Sequence, residues 1–321
     1  MDVLSEVLRV VRLEGALFFN AEFSTPWSIS SPQSSAIVPY LHPEARHLII
    51  YHFLTEGRAY ARLRDGPRVE LTAGDIVIFP HGDEHILGNG SPERPVDSLR
   101  MFAKNLEGGL KIARFGGGGS VTRFVCGYLA CDPRLSEVVL ASLPPLMKVH
   151  VPDESSGQWL EHSIRFSVDQ ASGRHAGSGL VLARLSEVLF VETLRRYINL
   201  LPADQVGWLA GVRDPVIGHA LALLHKQAAD PWTIPSLARR VGLSRTQLVA
   251  RFRHFLGQSP MAYLAQWRLR LGAEILQSTD HSVAQVAAEV GYGSEASFNR
   301  AFKREFKHPP ARFRRQQKHE Q

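Results

Sequence analysis

Cysteine is scarce in this sequence: only Cys126 and Cys131 occur among its 321 residues. Two thiols exclude a small secreted scaffold that is held together by several disulfides. Long apolar runs are also missing, since none approaches the ~20 residues that a membrane-spanning helix needs. The first fifteen residues contain neither a basic segment nor a continuous apolar segment, so they do not resemble a signal peptide. We therefore expect the protein in the cytoplasm.

The charge is unevenly distributed along the chain, although its total of +6 is modest. Residues 214–321 carry 16 Lys and Arg against 8 Asp and Glu, whereas residues 1–213 carry 21 against 23. A compact basic domain joined to a near-neutral one indicates a binding partner that carries phosphates. An ordinary solvated surface would give the same count, so the charge alone leaves both interpretations open.

The first part of the chain, up to about residue 131, has the sequence pattern of short β-strands. Runs such as HLIIYHFL and VELTAGDIVIFP are rich in β-branched and aromatic residues and are bounded by turn residues. They predict a small all-β barrel or sandwich. Four consecutive glycines, Gly116–Gly119, lack a following Gly-Lys-Ser or Gly-Lys-Thr, which argues against a phosphate-binding loop and favours a hairpin loop.

The pattern becomes helical after residue 144. Residues 180–201, LVLARLSEVLFVETLRRYINLL, predict one helix with a broad apolar face. That face could pack against a second subunit or within its own subunit, and the sequence leaves both open. The periodicity breaks near 202–215, and the chain beyond is helical. We predict an α+β multidomain protein with a β-barrel domain at 1–135, a helical linker or dimerisation region at 136–213 and an all-α domain at 214–321.

Two segments near the C-terminus repeat each other at a spacing of about 50 residues. The first is LARRVGLSRTQLVARFRHFLGQSP, residues 237–260, and the second is VAAEVGYGSEASFNRAFKREFKHPP, residues 286–310. An internal duplication of this kind determines architecture more strongly than any single residue. The matched pairs are Ala238 with Ala287, Val241 with Val290, Gly242 with Gly291, Leu248 with Phe298, Phe252 with Phe302 and Pro260 with Pro310.

Each copy has the pattern of a helix-turn-helix. Gly242 and Gly291 supply the turn, where a left-handed backbone would cost any residue with a Cβ atom. Apolar residues lie on one side of each second helix and polar or basic residues on the other, as a helix requires when it enters a major groove ~12 Å wide. The predicted helix caps are the capping boxes Ser244–Gln247 and Ser282–Gln285, together with Ser294.

A further helix is predicted between the two copies. Ser259 and Pro260 begin it, because proline is well suited to the first helical position. About 18 residues give roughly 27 Å of helix. That length can hold two recognition helices about one DNA turn apart, near 34 Å, so a single chain could read two successive grooves.

Residues 214–315 closely resemble the DNA-binding domain of the AraC/XylS family, with two helix-turn-helix motifs. The segment GYGSEASFNRAFKREFKHPPARFRR resembles the C-terminal signature of that family. The resemblance implies a sequence-specific DNA-binding transcription regulator, either an activator or a repressor, that works in the bacterial cytoplasm on nucleoid DNA. Its implied partners are double-stranded DNA, a second copy of the chain and, at the promoter, RNA polymerase.

The same resemblance implies which residues face DNA. Arg300 is the first candidate for a base contact, because arginine can bind guanine bidentately; a phosphate contact, or an ion pair with Glu289 or Glu295, is the alternative. Two residues depart from the family pattern. Ala250 stands where the first copy usually has an arginine, so the first helix either reads thymine methyl groups or contributes less specificity. Lys307 replaces the usual glycine, so position 307 either holds a strained backbone or the helix ends differently. The predicted base-facing residues are Arg245, Thr246, Val249, Ala250, Glu295, Ala296, Ser297, Asn299 and Arg300, and the predicted phosphate contacts are Arg251, Arg253, Lys303 and Arg304.

Residues 74–89 resemble the second motif of the cupin family, which they match at Gly74, Pro80, Gly82, His85 and Asn89. With the helical tract and the C-terminal domain, the similarity to cupin-containing AraC-family regulators extends over nearly the whole chain. It implies a cupin-like β-barrel that senses a small molecule or another chemical signal.

The sequence lacks the ligands that cupin enzymes use for their metal. Those enzymes hold the metal with two histidines and a carboxylate from a first motif and the histidine of the second. If Gly57 closes the first motif, the carboxylate position falls on Ile50 and the histidine positions fall near Arg46 and Glu44. His85 alone does not make a site, which normally needs three or four ligands. We expect no metal, no cofactor and no enzyme activity.

The sequence does not identify the effector. A barrel interior can hold a small ligand, and the candidates to line such a site are Arg46, His47, His52, His81 and His85. Two other functions stay open, namely a cupin metalloenzyme with a DNA-binding tail and a cysteine-based redox-sensing regulator. Residues five apart on a strand point to opposite faces, so a disulfide between Cys126 and Cys131 would need a bend, and buried structural thiols are expected.

Overall fold

The structure is a computed structural model that describes residues 3–11, 13–90, 94–99, 112–132, 139–151, 155–172, 177–202 and 204–318. Contacts divide the chain into two compact units. The sheet unit comprises Leu13–Asp132 and Leu143–Tyr197, and the helical unit comprises Met1–Arg12, Pro133–Ser142 and Ile198–Gln321. The three predicted domains follow sequence pattern rather than contacts, and their boundaries stay a prediction.

The sheet unit is built on two β-sheets. Helix α1 (Val3–Val11) precedes it in the chain; its own helices are α2 (Ser34–Leu41), α3 (Ser155–Ser172) and α4 (Ser178–Leu200). Its strands are β1 (Glu14–Ser24), β2 (Trp27–Ser31), β3 (His47–Glu56), β4 (Arg58–Leu63), β5 (Val69–Thr72), β6 (Asp75–Phe79), β7 (His85–Asn89), β8 (Val96–Asp97), β9 (Ile112–Gly116), β10 (Val121–Cys131) and β11 (Met147–His150). One sheet has the order β11-β6-β3-β10-β1-β9 and the other β5-β4-β7-β2-β8. The β1–β9 and β2–β8 pairs are parallel, and the other ladders are antiparallel. The predicted β-sheet domain is confirmed.

Strand β3 is buried on both of its faces. Leu48, Ile50 and Leu54 belong to the core between the sheets. On the opposite face, the hydroxyl of Tyr51 donates a hydrogen bond to Ser186 Oγ of α4 at 2.7 Å. Because a helix covers the second face, the strand reads as a continuous apolar run rather than as an alternating one.

The run of four glycines joins β9 to β10, which lie on either side of β1 and not beside each other. The predicted hairpin loop is therefore wrong. The Gly117 N–H donates to the carbonyl oxygen of Ser24, and the Gly119 N–H donates to that of Thr25, each at 2.9 Å. Gly116 has a φ of 135°, and a Cβ atom there would lie 1.9 Å from the Ser24 oxygen. Glycine is required where the β9–β10 connection passes the end of β1, because the two backbones are in contact there and leave no room for a side chain.

The helical unit contains α1 and every described helix after α4. They are α5 (Trp208–Arg213), α6 (Pro215–Lys226), α7 (Ile234–Arg240), α8 (Arg245–Leu256), α9 (Pro260–Ser278), α10 (Val283–Glu289), α11 (Glu295–Phe306) and α12 (Pro310–Lys318). Helices α7 and α8 form the first predicted helix-turn-helix, and α10 and α11 form the second. None of the helices in the described ranges combines the length and hydropathy needed to cross a membrane.

The two motifs are capped as their sequences predict. Ser244 and Gln247 form a capping box at the start of α8, and Ser282 does the same with Gln285 at α10. Ser294 Oγ accepts the hydrogen bond that begins α11. The turn glycines 242 and 291 have φ values of 73° and 83°. These local contacts fix where each helix starts, and therefore which side chains face outward.

Helix α9 connects the two motifs and belongs to both cores. It has 19 residues, or about 28 Å of helix. In its C-terminal half, Leu269, Ala273 and Leu276 pack in one cluster with Phe298 and Phe302 of the second motif. The predicted connecting helix is confirmed.

Candidate functional site

The first candidate DNA-reading helix is α8. Its inner face packs through Leu248 and Phe252, both completely buried. The opposite side exposes Arg245, Thr246 and Ala250, while the predicted Val249 is half-buried. This division leaves one side of the helix free to enter a groove.

Arg251 is already bound within the helical unit. Its guanidinium pairs with the carboxylate of Asp214, which also accepts the backbone N–H groups of Val216 and Ile217 at the start of α6. Burial works to raise the pKa of Asp214, but the hydrogen bond and charge of Arg251, together with the N–H groups of Ile217 and Val216, outweigh it and the pKa is lowered. One guanidinium nitrogen of Arg251 is thus already used by Asp214, whereas Arg253 lies exposed on the same helix.

The second candidate DNA-reading helix, α11, exposes Arg300. Both carboxylates considered as its partners are engaged elsewhere: Glu289 lies 2.8 Å from His281 Nδ1, and Glu295 accepts from Asn299 Nδ2 at 3.4 Å. Neither carboxylate pairs with Arg300, and its guanidinium has no ion-pair partner among the residues that the structure describes. Glu295 and Ala296 are exposed beside it, and Asn299 is half-buried. Ser297 has a different role, because its hydroxyl donates to the carbonyl of Ser294 within the helix cap.

The last turn of α11 carries exposed positive charge on Lys303 and Arg304. The helix ends at Lys307, the one residue other than glycine with a positive φ, 65°, in the described ranges. Its Nζ donates to the carbonyl of Arg304 at 3.1 Å. The equivalent residue of the first motif is Gly257, with a φ of 68°. The strained backbone considered at position 307 is therefore present, and the helix ends as in the first copy.

A chain of hydrogen bonds lies inside the sheet unit. His85 Nδ1 is 2.8 Å from the carbonyl of Asp83, His85 Nε2 is 2.8 Å from His52 Nε2, and His52 Nδ1 is 2.9 Å from Cys126 Sγ. A carbonyl can only accept, so His85 donates from Nδ1 and accepts at Nε2. His52 then donates from Nε2 and accepts the thiol proton of Cys126 at Nδ1. Every nitrogen of the two imidazoles is used.

The surroundings keep this chain uncharged. His85 stacks on Phe79 with a centroid distance of 3.6 Å. Burial lowers the pKa of His85 to about 4, and burial, followed by the neighbouring His85, holds the pKa of His52 well below its ordinary value. Burial also raises the pKa of the Cys126 thiol. The thiolate, which is the reactive form of cysteine, is therefore suppressed.

These residues do not fit the metal of cupin enzymes. Cys126 Sγ contacts Nδ1 of His52 whereas His85 contacts Nε2 on the other side of that ring, so the three side chains do not converge on one point. Within the described residues, no three His, Cys, Asp or Glu side chains are grouped so that they could hold a metal ion. Ile50, at the expected carboxylate position, is buried in the core.

The other predicted effector residues do not join this chain. His47 Nε2 lies 2.7 Å from the carbonyl of Pro80, and His81 Nε2 lies 3.1 Å from that of Leu143. Burial lowers the pKa of His47. Arg46 is exposed. The structure thus brings together only His52 and His85 of the five.

Sequence reasoning missed two residues of this interior. Cys126 was expected as an isolated buried thiol, yet it completes the histidine chain because β10 pairs with β3 so that Cys126 lies opposite His52. Trp27, packed against Phe23 and Phe124, has an indole Nε1 with no hydrogen-bond partner in the described part of the chain. No sequence signal predicts either contact, since both depend on strand register.

Comparison with known proteins agrees with both units. The family model described as Cupin matches residues 2–199, and the one described as Helix-turn-helix domain matches residues 237–316. The HTH-type transcriptional regulator AlkR of Acinetobacter baylyi is 28% identical over 98% of this chain and 100% of its own. A protein of Streptomyces lividans named as an AraC-like transcription regulator is 34% identical over 77% of this chain and 80% of its own.

Among solved structures, a transcriptional regulator with an AraC-type DNA-binding domain from Chromobacterium violaceum is 28% identical, with a TM-score of 0.32, over 33% of this chain and 94% of that one. The predicted cupin domain, helix-turn-helix domain and regulatory function are confirmed by the family matches and the curated relatives. The chain belongs to the AraC-like transcription regulators, with a cupin domain followed by a DNA-binding helix-turn-helix domain.

Proposed function

We propose that this regulator reads DNA with α8 and α11, that Arg300 is its principal base-reading side chain, and that it performs no chemistry. The observation that carries the proposal is the exposed guanidinium of Arg300 on a capped helix, with both neighbouring carboxylates bound elsewhere. The remaining base-facing candidates, and the phosphate contacts of Arg253, Lys303 and Arg304, form part of the same proposal. Acting on promoters, the protein would work in the cytoplasm on nucleoid DNA.

The test is a selection from random duplexes at fixed salt, followed by binding titrations with Arg300→Ala and Lys303→Ala. Arg300→Ala should relax the preference at one base pair and cost about 1–3 kcal/mol on the selected site. Lys303→Ala should weaken all duplexes alike and reduce the salt slope by about one unit. Equal behaviour of the two variants on specific and random DNA would refute the base-reading role of Arg300.

We propose further that a small effector binds within the sheet unit. Every ring nitrogen of His52 and His85 already has a hydrogen-bond partner, namely the other histidine, Cys126 or the carbonyl of Asp83. The indole N–H of Trp27, in contrast, is a buried donor without a partner in the described residues. Its aromatic surroundings suit a ligand with an apolar body and one hydrogen-bond acceptor. Trp27→Phe should abolish ligand-induced thermal shifts in a compound screen and leave DNA binding intact.

The functional unit proposed is a homodimer. Helix α3 exposes Trp159 and Phe166, seven residues apart and so on one face, and α4 exposes Leu180, Val181 and Val188. Val188→Glu should shift the protein from dimer to monomer in sedimentation, whereas Leu200→Glu, on another side of α4, should not. Contact with RNA polymerase follows only for an activator, and transcription in vitro from a selected site decides between activation and repression.

A further inference from the structure

Helix α1 is packed into the helical unit, although it precedes the first strand of the sheet unit by only two residues. Val3, Leu4, Val7 and Val11 form one buried stripe along it. The helix packs against α6 and α9. A helix of nine residues is not stable alone in water, so this packing is what forms α1.

The two helices that α1 packs against, α6 and α9, support the two helix-turn-helix motifs. We call these motifs the reading heads, with α7–α8 as the first head and α10–α11 as the second. Arg268 of α9 donates to the carbonyls of Ala228 and Asp230, each at 2.7 Å, in the turn that leads from α6 into the first motif. Trp267 of α9 stacks on His225 of α6 with a centroid distance of 4.0 Å. The C-terminal half of α9 packs on the second motif. Any bend of α9 relative to α6 therefore changes the position of one head relative to the other.

The polar side of α1 reaches toward the second motif. Glu6 and Arg9 line a groove of about 550 Å³ together with Asp230, after α6, and Glu289, at the end of α10. Helix α1 thus borders the turn that leads into the first motif and the end of α10 in the second motif, with its apolar side on α6 and α9.

We propose that α1 is a working part of the DNA-binding unit, a brace across α6 and α9 that holds the two reading heads at the separation of successive grooves. Two linked heads bind together with an effective concentration that depends on their alignment. Without the brace each head still folds and binds, but the second head is no longer presented to its groove. This inference rests on the proposed reading of DNA by both motifs.

The test uses the full chain with Val7→Asp, which places a charge in the buried stripe, and the matched control Ser5→Asp, which places the same charge on the exposed side of α1. Each protein is titrated against the duplex selected for the wild type and against a duplex in which one half of that site is scrambled. Val7→Asp should lower affinity for the complete site about tenfold or more and leave affinity for the half-site within about twofold. Ser5→Asp should match the wild type on both.

Equal loss on both duplexes would show that α1 only stabilises the unit, and it would overturn the brace. Identical behaviour of Val7→Asp and Ser5→Asp would overturn it as well. If Val7→Asp does not accumulate as folded protein, Val7→Ala should lower affinity for the complete site about threefold and leave affinity for the half-site unchanged. If Val7→Ala lowers affinity for both duplexes equally, or for neither, the proposal is refuted. Failure of the wild type to select any sequence refutes the proposed DNA reading itself, a separate outcome.

Discussion

The imidazole of His85 should make the sheet unit sensitive to acid. Its pKa is about 4 in the folded protein because the ring is buried, against roughly 6.5 for an unfolded histidine. The folded pKa is the lower one, so the unfolded chain takes up the proton first. Stability from this group is complete above pH 6.5 and is lost as the pH falls toward 4.

The magnitude follows from the two pKa values. At pH 4.5 the unfolded state gains about 2.5 kcal/mol relative to the folded state from this one group. The pKa of His52 is lowered in the same direction, so its titration adds to the loss. A domain has only about 5–15 kcal/mol of stability in total, and the effect is therefore large.

Hydrogen exchange of the β10 amides reports the free energy of opening of the sheet unit and should be compared at pH 7 and pH 4.5. His85→Gln keeps an acceptor for the N–H of His52 but cannot titrate. The variant should start from a lower stability and lose about 2.5 kcal/mol less than the wild type on acidification. His162→Gln, on exposed α3 surface, should leave the wild-type loss unchanged. The same loss in His85→Gln and wild type would refute the neutral buried histidine.

Two backbone predictions have matched controls within the chain. Lys307→Gly should raise the free energy of unfolding of the helical unit by about 1 kcal/mol, because glycine adopts positive φ without strain; Gly257→Lys should lower it by a similar amount, and urea unfolding measures both. Gly116→Ala should destabilise the sheet unit by several kcal/mol through its 1.9 Å clash with a β1 carbonyl. Gly118→Ala, which has a positive φ but meets no atom within 4 Å, should cost only about 1 kcal/mol; equal thermal stability of the two variants would contradict this reasoning.

Local chemistry made the helical unit predictable. Ser244 and Gln247 lie three residues apart and cap α8 by bonds between themselves, so their sequence alone determines that helix start. The repeat then transfers the same reasoning to α11. The apolar residues Val3, Leu4, Val7 and Val11 recur at helical spacing and so predict a helix from the sequence alone. They do not indicate which surface α1 packs against, because that depends on contacts with residues more than 200 positions away.

The contacts inside the sheet unit could not be predicted from the sequence because they depend on strand register. His52 and His85 are 33 residues apart, and His52 and Cys126 are 74 apart. Whether such side chains meet depends on which strands are neighbours and on their exact offset, and a slip of one residue would turn each to the opposite face. The glycine run shows the same limit, since its composition indicated a loop but not that the loop crosses the end of β1.

The two reading heads differ in the DNA-contacting side chains that they expose, and this difference makes the weaker head depend on the alignment that α1 provides. Position 250 of the first head is alanine, whereas the equivalent position of the second head is Arg300. Arg251 of the first head is bound to Asp214. The first head therefore lacks the arginine that the second head has at this base-facing position, and one of its candidate phosphate contacts is already paired, so we expect it to bind weakly alone. A weak head contributes to affinity only when the strong head presents it to its groove at high effective concentration. A chain built in this way should select DNA with one strict half-site and one permissive half-site, and rigid alignment through α9 and α1 should determine the spacing between them more sharply than the sequence of the second.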